Sequence, residues 1–270
     1  MACFFNRIKD NMKWKFSPFF AMFFWKGGEG MFTYVYALLA GMVFGSFFML
    51  IATRVPLGES IITPRSYCHY CKYTLKPKEL IPIISFCIQK GRCTNCKSKI
   101  PSMYIIFECI TGSIFLLTVY MIGMERELVI ILSLFSLLLI ISVTDYIYML
   151  IPNRILISFT ILLILECIFV PLVTWIDSIV GSGVIFILLY CMQKVYPEGL
   201  GGGDIKLLSL LGFIVGVKGI FMILFLASCC SLCFFGIGIV LKRIEARKPI
   251  PFGPFISLGA ICYVLVVYAK

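Results

Sequence analysis

The chain has 270 residues, of which 61% are hydrophobic and 14% charged, and 25 of them are phenylalanine. A soluble domain is about 45–50% apolar and about 25% charged, and no globular interior of this size would hide so much apolar surface. The composition therefore describes a polytopic membrane protein and excludes a soluble enzyme, a disordered chain and a secreted disulfide scaffold. The net charge of +11 is not gathered into a soluble basic domain, so nucleic acid is not an expected partner; anionic membrane lipid is.

Residues 1–30 are aromatic and basic, with Arg7, Lys9, Lys13, Lys15 and Lys26. They read either as an extension before a true start at Met31 or as an amphipathic anchor lying along the membrane interface. No small-residue cleavage site marks them as a signal peptide. Eight apolar runs follow, at 32–52, 103–123, 128–144, 155–170, 175–193, 205–217, 219–240 and 252–269, and each predicts a spanning helix. The fourth and sixth are short for a bilayer, which implies tilt or extension into the polar motifs beside them. The expected fold is all-α: a polytopic membrane protein with about eight transmembrane helices and a small cytoplasmic zinc-binding loop domain. Its divisions are the extension 1–30, a first helix 31–53, the loop 54–102 and a core 103–270.

Basic residues orient the bundle. The loop carries Arg54, Arg65, Lys72, Lys76, Lys78, Lys90, Arg92, Lys97 and Lys99. Arg154, Lys194, Lys206, Lys242, Arg243, Arg247 and Lys248 fall on the same side, against Arg126, Lys218 and Lys270 on the other. Sixteen against three predicts a multi-pass protein of the cell membrane with its loop in the cytoplasm.

Nine of the 13 cysteines lie in apolar runs or lack a partner pattern and read as small hydrophobes. The loop differs. Cys68-His69-Tyr70-Cys71 and Cys93-Thr94-Asn95-Cys96 are two C-x-x-C pairs with 21 residues between them. Four thiolates in two such turns supply the tetrahedral sulfur cage that zinc favours, as a closed structural site. A reducing cytoplasm disfavours the alternative of disulfides. His69, the single histidine, reads as a solvated loop residue, so two-histidine metalloproteases and imidazole-based triads are not expected. Hydrolytic chemistry would have to use carboxylates or a Ser-Lys pair.

Carboxylates at a membrane edge are costly and point to function. Asp145 ends one apolar run, ahead of Ile151-Pro152-Asn153. Asp204 follows Gly201-Gly202-Gly203, where glycines permit unusual backbone and close approach, and it is expected to cap the next helix. Either aspartate alone reads as a helix-end group. Both start from the same membrane face, however, and a close pair shares a proton, one member acting as base on water and the other as acid. Glu108 and Glu166 are alternatives, one near the loop and one mid-helix, while Glu125, Glu127 and Asp177 fall on the wrong side.

Taken in order, these motifs resemble the type IV prepilin peptidases, or GxGD membrane aspartyl proteases. The resemblance runs from about residue 41 to 260. It is carried by Gly45-Ser46-Phe47 with Arg54-Val55-Pro56, Pro64-Arg65-Ser66 before Cys68 and Cys71, Ile81-Pro82, and Gly91-Arg92 before Cys93 and Cys96. Asp145 with Ile151-Pro152-Asn153, Gly201-Gly202-Gly203-Asp204-Ile205-Lys206 and Pro251-Phe252-Gly253-Pro254-Phe255 complete it. The resemblance implies catalytic aspartates at Asp145 and Asp204, with Pro152, Gly201, Gly202, Gly203 and Lys206 as motif support. It implies a role for Gly91 in methyl transfer from S-adenosylmethionine, structural zinc on the four cysteines, and prepilin or pseudopilin precursors as substrates in a bacterium. Phe48-Met49 after the Gly-Ser-Phe motif and Tyr104-Ile105 depart from the usual pattern and resemble competence-type members of Gram-positive bacteria. Two rival functions are a protease for another membrane substrate without methylation, and a non-catalytic zinc-ribbon scaffold or transporter. Transporters place charges mid-bilayer in repeated halves, and neither feature is present in this sequence.

Overall fold

The computed structural model describes residues 30–68, 70–196, 199, 201–241 and 251–269. The N-terminal extension, His69, the basic run from Lys242 to Lys248 and Lys270 lie outside them. The described residues form eight α-helices: α1 (Met31–Arg54), α2 (Ile84–Ile88), α3 (Met103–Ile122), α4 (Glu127–Tyr148), α5 (Asn153–Phe169), α6 (Trp175–Val195), α7 (Gly202–Val240) and α8 (Gly253–Tyr268). Two isolated antiparallel bridges, Tyr67 with Thr74 and Arg92 with Lys99, lie in the loop between α1 and α3. An all-α result follows from the composition. In lipid only a helix satisfies its own backbone N–H and C=O groups within one segment.

The central element is α4, apolar around most of its surface and the most buried of the long helices: Ile131, Leu134, Phe135, Leu137, Leu138, Ile140 and Ile141 are all inaccessible. Against it lie α1, α3, α5 and α8. α1 and α3 run antiparallel and approach closely through Gly41, Gly45 and Gly112; a Cβ on Gly41 would stand 2.8 Å from Gly112 Cα. Small residues spaced four apart permit that backbone approach, and close packing replaces the hydrophobic effect as the force between helices in lipid.

Five helices, α1, α3, α4, α6 and α7, are long and apolar enough to cross a membrane. α5 has 17 residues and α8 has 16, which leaves them shorter. Runs 205–217 and 219–240, expected as separate spans, form a continuous 39-residue helical stretch that Gly216 breaks into two helices. Gly216 has φ 74°, ψ −177°, a conformation open to glycine and strained for other residues. The chain reverses there. Beyond it the Tyr263 hydroxyl lies beside Gly219, Gly259 packs on Ile223 and Ala227, and Phe234 and Phe235 reach Phe255. The second half of α7 thus descends along α8 to the end from which the first half rose. The break frees the Val217 N–H, which donates to Asp177 Oδ1 at 3.2 Å. A residue set aside as lying on the wrong side therefore caps the returning half-helix.

These connections give the bundle two ends. One, the loop face, holds the end of α1, the start of α3, the end of α4 and the starts of α5, α7 and α8. At the other, Ile122, Glu125, Glu127, Pro171, Leu172 and Tyr268 line a shallow cavity.

Candidate active site and metal centre

Asp145 occupies the last turn of α4. The helix is closed by Met149 in a left-handed conformation, its N–H donating to Asp145 O at 2.9 Å. Asp145 is buried, with 7% of its surface exposed. Its Oδ2 accepts the Gly253 N–H at 2.7 Å. Gly253 is the first residue of α8, so the carboxylate faces the positive end of a helix dipole.

Asp204 is the third residue of α7, not its cap: the helix starts at Gly202, and the Asp204 N–H donates to Gly201 O at 3.1 Å. Its Oδ1 is buried without a hydrogen-bond partner. None of the three glycines before it is left-handed, the left-handed glycines among the described residues being Gly58, Gly91, Gly123 and Gly216, and Gly203 acts by its size. A Cβ on Gly203 would stand 2.8 Å from Ile151 Cβ. The start of α7 can thus press against the segment leaving α4, and Asp204 comes close enough for the Asp145 charge to act on it. Lys206 Nζ donates to Asn153 Oδ1 at 2.9 Å, tying α7 to the start of α5, which Pro152 caps. Both helix ends that carry these carboxylates thus lie at the loop face.

Sequence reasoning quoted Gly253 only as part of a proline-rich motif and missed this contact. Only a glycine between two prolines at an otherwise apolar helix start could have signalled it. A Cβ there would stand 2.8 Å from Asp145 Oδ2 and 3.2 Å from its Cγ. Gly253→Ala is therefore expected to displace the Asp145 carboxyl. A misplacement of about 1 Å can cost about 100-fold in rate, and a loss of that order in cleavage by purified, normally accumulating protein is the expected result. An unaltered rate would show that the carboxylate tolerates the shift.

Of the alternative carboxylates, Glu108 joins neither aspartate. Its Oε2 accepts the Ile83 N–H from the loop at 2.9 Å. Glu166 Oε1 accepts from the Ser133 hydroxyl at 2.8 Å.

The Sγ atoms of Cys68, Cys71, Cys93 and Cys96 all lie within 4.8 Å of one another, forming a cluster able to hold a metal ion. Cys68 and Cys96 are 3.8 Å apart, Cys71 and Cys93 4.0 Å. A tetrahedron with metal–sulfur distances of about 2.3 Å has edges of about 3.8 Å, so the cage fits. The two turns match each other. The Cys68 N–H donates to Tyr73 O and the Cys93 N–H to Ser98 O, both at 2.9 Å, and Lys72 and Lys97 take the left-handed position after each second cysteine. Backbone N–H groups of Cys71 and Tyr70 draw the Cys68 thiol down to about 6, and the Ser98 hydroxyl lowers that of Cys96. Those two shifts favour the thiolate that ligates metal, whereas burial and the neighbouring Cys68 and Cys96 thiols leave that of Cys93 raised. Glu79 braces the second turn: it accepts from the Thr94 hydroxyl and from the Lys76 N–H, and these bonds hold its carboxyl below the usual range. Gly91 sits just before this turn at φ 66°, its site bounded by the Phe86 ring 2.9 Å from a would-be Cβ.

Comparison with known proteins gives the same outline in two parts. The model of the bacterial peptidase A24 N-terminal domain matches residues 39–122, and that of the type IV leader peptidase family matches residues 132–236. A prepilin leader peptidase/N-methyltransferase of Bacillus subtilis is 39% identical, over 82% of this chain and 89% of its own. An Escherichia coli protein described as a type 4 prepilin-like proteins leader peptide-processing enzyme is 30% identical, over 84% and 91%. A prepilin leader peptidase/N-methyltransferase of Klebsiella pneumoniae is 31% identical, over 72% and 90%. No solved structure matches the chain. With that identity maintained over more than two thirds of its length, the chain belongs to the type IV leader peptidase family.

Proposed function

We propose that this protein is a membrane aspartyl endopeptidase that removes the basic leader from prepilin-like precursors, with Asp145 and Asp204 as its water-activating pair. The observation that supports this reading is the placement of both carboxylates on helix ends at the loop face, Asp145 held by the α8 amide and Asp204 with a buried, unpartnered oxygen. Two neighbouring carboxyl groups of this kind share one proton. The ionised member takes a proton from water as the oxygen adds to the scissile carbonyl carbon. The protonated member gives its proton to the carbonyl oxygen. Collapse of the tetrahedral species then breaks the C–N bond, and the amine leaves with a proton. Family membership supports prepilin-like precursors as substrates, and the narrower reading of competence-type pseudopilins rests on Phe48-Met49 and Tyr104-Ile105 alone. A precursor bearing a basic leader and an apolar helix, incubated with the reconstituted enzyme and read by mass spectrometry, tests it. An uncleaved precursor would overturn the reading.

The remaining parts follow from charge and chemistry. Basic residues gather at the loop face, which supports a cytoplasmic catalytic face beside anionic lipid. Counting α5, α8 and both halves of α7 gives eight passes. An all-thiolate cage is the donor set of structural zinc, which would be held by Cys68, Cys71, Cys93 and Cys96 and would fix the fold of the loop.

Methylation of the new N-terminus from S-adenosylmethionine, with Gly91 near the donor, is the second activity proposed. The φ of Gly91 and its contact with Phe86 favour a competing reading in which Gly91 only shapes the loop and the enzyme is a peptidase alone. Asparagine tolerates the left-handed conformation, so Gly91→Asn, with Phe86→Leu added to make room for its Cβ and Phe86→Leu alone as control, separates the two. The expected product is cleaved but poorly methylated; equal loss of both activities would assign Gly91 to the fold.

A further inference from the structure

The loop between α1 and α3 exposes large apolar side chains that neither the cysteine cage nor the aspartates use. Ile84 is 55% exposed and Ile88 76%. Spaced four apart on α2, they share one face of it. Their depth is what matters. The Ile83 N–H, at the start of α2, donates to Glu108, which lies in the second turn of α3. That turn is about 7 Å beyond the start of α3, and helical side chains lean back toward the N-terminus. Ile83 therefore sits level with the first turns of α3 and not above them.

α3 has 20 residues, about 30 Å of helix, which matches the hydrocarbon thickness of a bilayer. Side chains level with its first turns meet headgroups and the ends of acyl chains, not bulk water. The residues flanking α2 carry the complementary charge. Lys76, Lys78, Lys90 and Arg92 are all exposed, whereas Glu59 and Glu79 are the only acidic residues in the loop. Glu79 is already engaged by Thr94 and Lys76. An apolar face at interfacial depth with a basic rim is the arrangement that binds an anionic lipid surface.

We infer that α2 is an interfacial anchor, with Ile84 and Ile88 in the lipid boundary and the four basic side chains among anionic headgroups. It holds the metal-binding loop flat against the membrane beside the aspartates. The inference rests on α3 crossing the membrane and makes no use of peptidase activity.

The test uses full-length protein reconstituted into phosphatidylcholine vesicles with and without phosphatidylglycerol. An Ile88→Trp variant reports the anchor and a Tyr70→Trp variant the tip of the first cysteine turn, with emission of the unsubstituted protein subtracted. Unchanged metal content checks that each loop is folded. Tryptophan at 88 is expected to lose most of its emission to lipids brominated near the headgroup and little to aqueous acrylamide, and tryptophan at 70 to do the reverse. Quenching at 88 should weaken when phosphatidylglycerol is omitted. Acrylamide quenching at 88, or indifference to phosphatidylglycerol, would overturn the anchor. So would relief of lipid quenching by an added prepilin-like peptide, which would make this face a substrate site. None of these readings depends on cleavage, so a failed anchor and a failed peptidase are distinguishable.

Discussion

Asp145→Asn and Asp204→Asn are each expected to lower leader removal on the order of 10⁴-fold, with both proteins accumulating normally. Asparagine has the shape of aspartate, and its carbonyl oxygen can still accept the Gly253 N–H that holds Asp145 in place. It also removes a buried charge, so α4 and α7 lose nothing in stability. Only proton exchange with water is lost. Because the two groups act as one unit, the double variant should be little worse than either single one. Purified variants assayed at equal concentration against one precursor check this. Near-normal cleavage by either would remove the pair from the mechanism, and additive losses would mean that the two residues act in separate steps.

Much of the fold was legible because lipid leaves so few backbone solutions. Apolar runs at 103–123 and 175–193 became helices Met103–Ile122 and Trp175–Val195, since a chain without water must bond to itself. The cysteine cluster was legible for a local reason. In C-x-x-C the turn itself points both sulfurs inward, and only the pairing of the two turns is long-range.

Contacts between distant residues were not legible. Lysine at 218 separated the expected runs 205–217 and 219–240, yet the reversal is made at Gly216 and completed by Asp177, whose carboxylate comes from another helix. The role assigned to Gly-Gly-Gly also needed its partner. Unusual backbone and close approach were both expected, and what the structure uses is the second, the missing Cβ of Gly203 against Ile151. Gly253 and Asp145 are separated by 108 positions, and no periodicity connects them. Residue type announced that each carboxylate needed a reason. Packing decided which amide held it.

Removing the metal cage is expected to unfold the loop while leaving the bundle intact. Among the described residues from 55 to 102, Cys93 alone is buried, so the loop has no apolar core to offset the entropy of ordering its chain, about 1–2 kcal/mol per residue for the backbone. Metal binding has to supply that stability, and structural zinc sites release about 10–16 kcal/mol in small peptides. The helices, by contrast, pack around α4 without reference to the cysteines. A Cys93→Ser/Cys96→Ser variant should therefore fall from about one zinc per chain to none, become cleavable by added protease throughout residues 55–102, and keep its helical circular dichroism. Contacts of Glu79 with Thr94 and of Glu108 with Ile83 would loosen with it, so leader removal should fall as well, by less than in the aspartate variants. Elemental analysis and limited proteolysis of the same preparation read the first two effects. Metal-free protein whose loop resists protease as well as the unsubstituted protein does would show that something other than the cage holds residues 55–102.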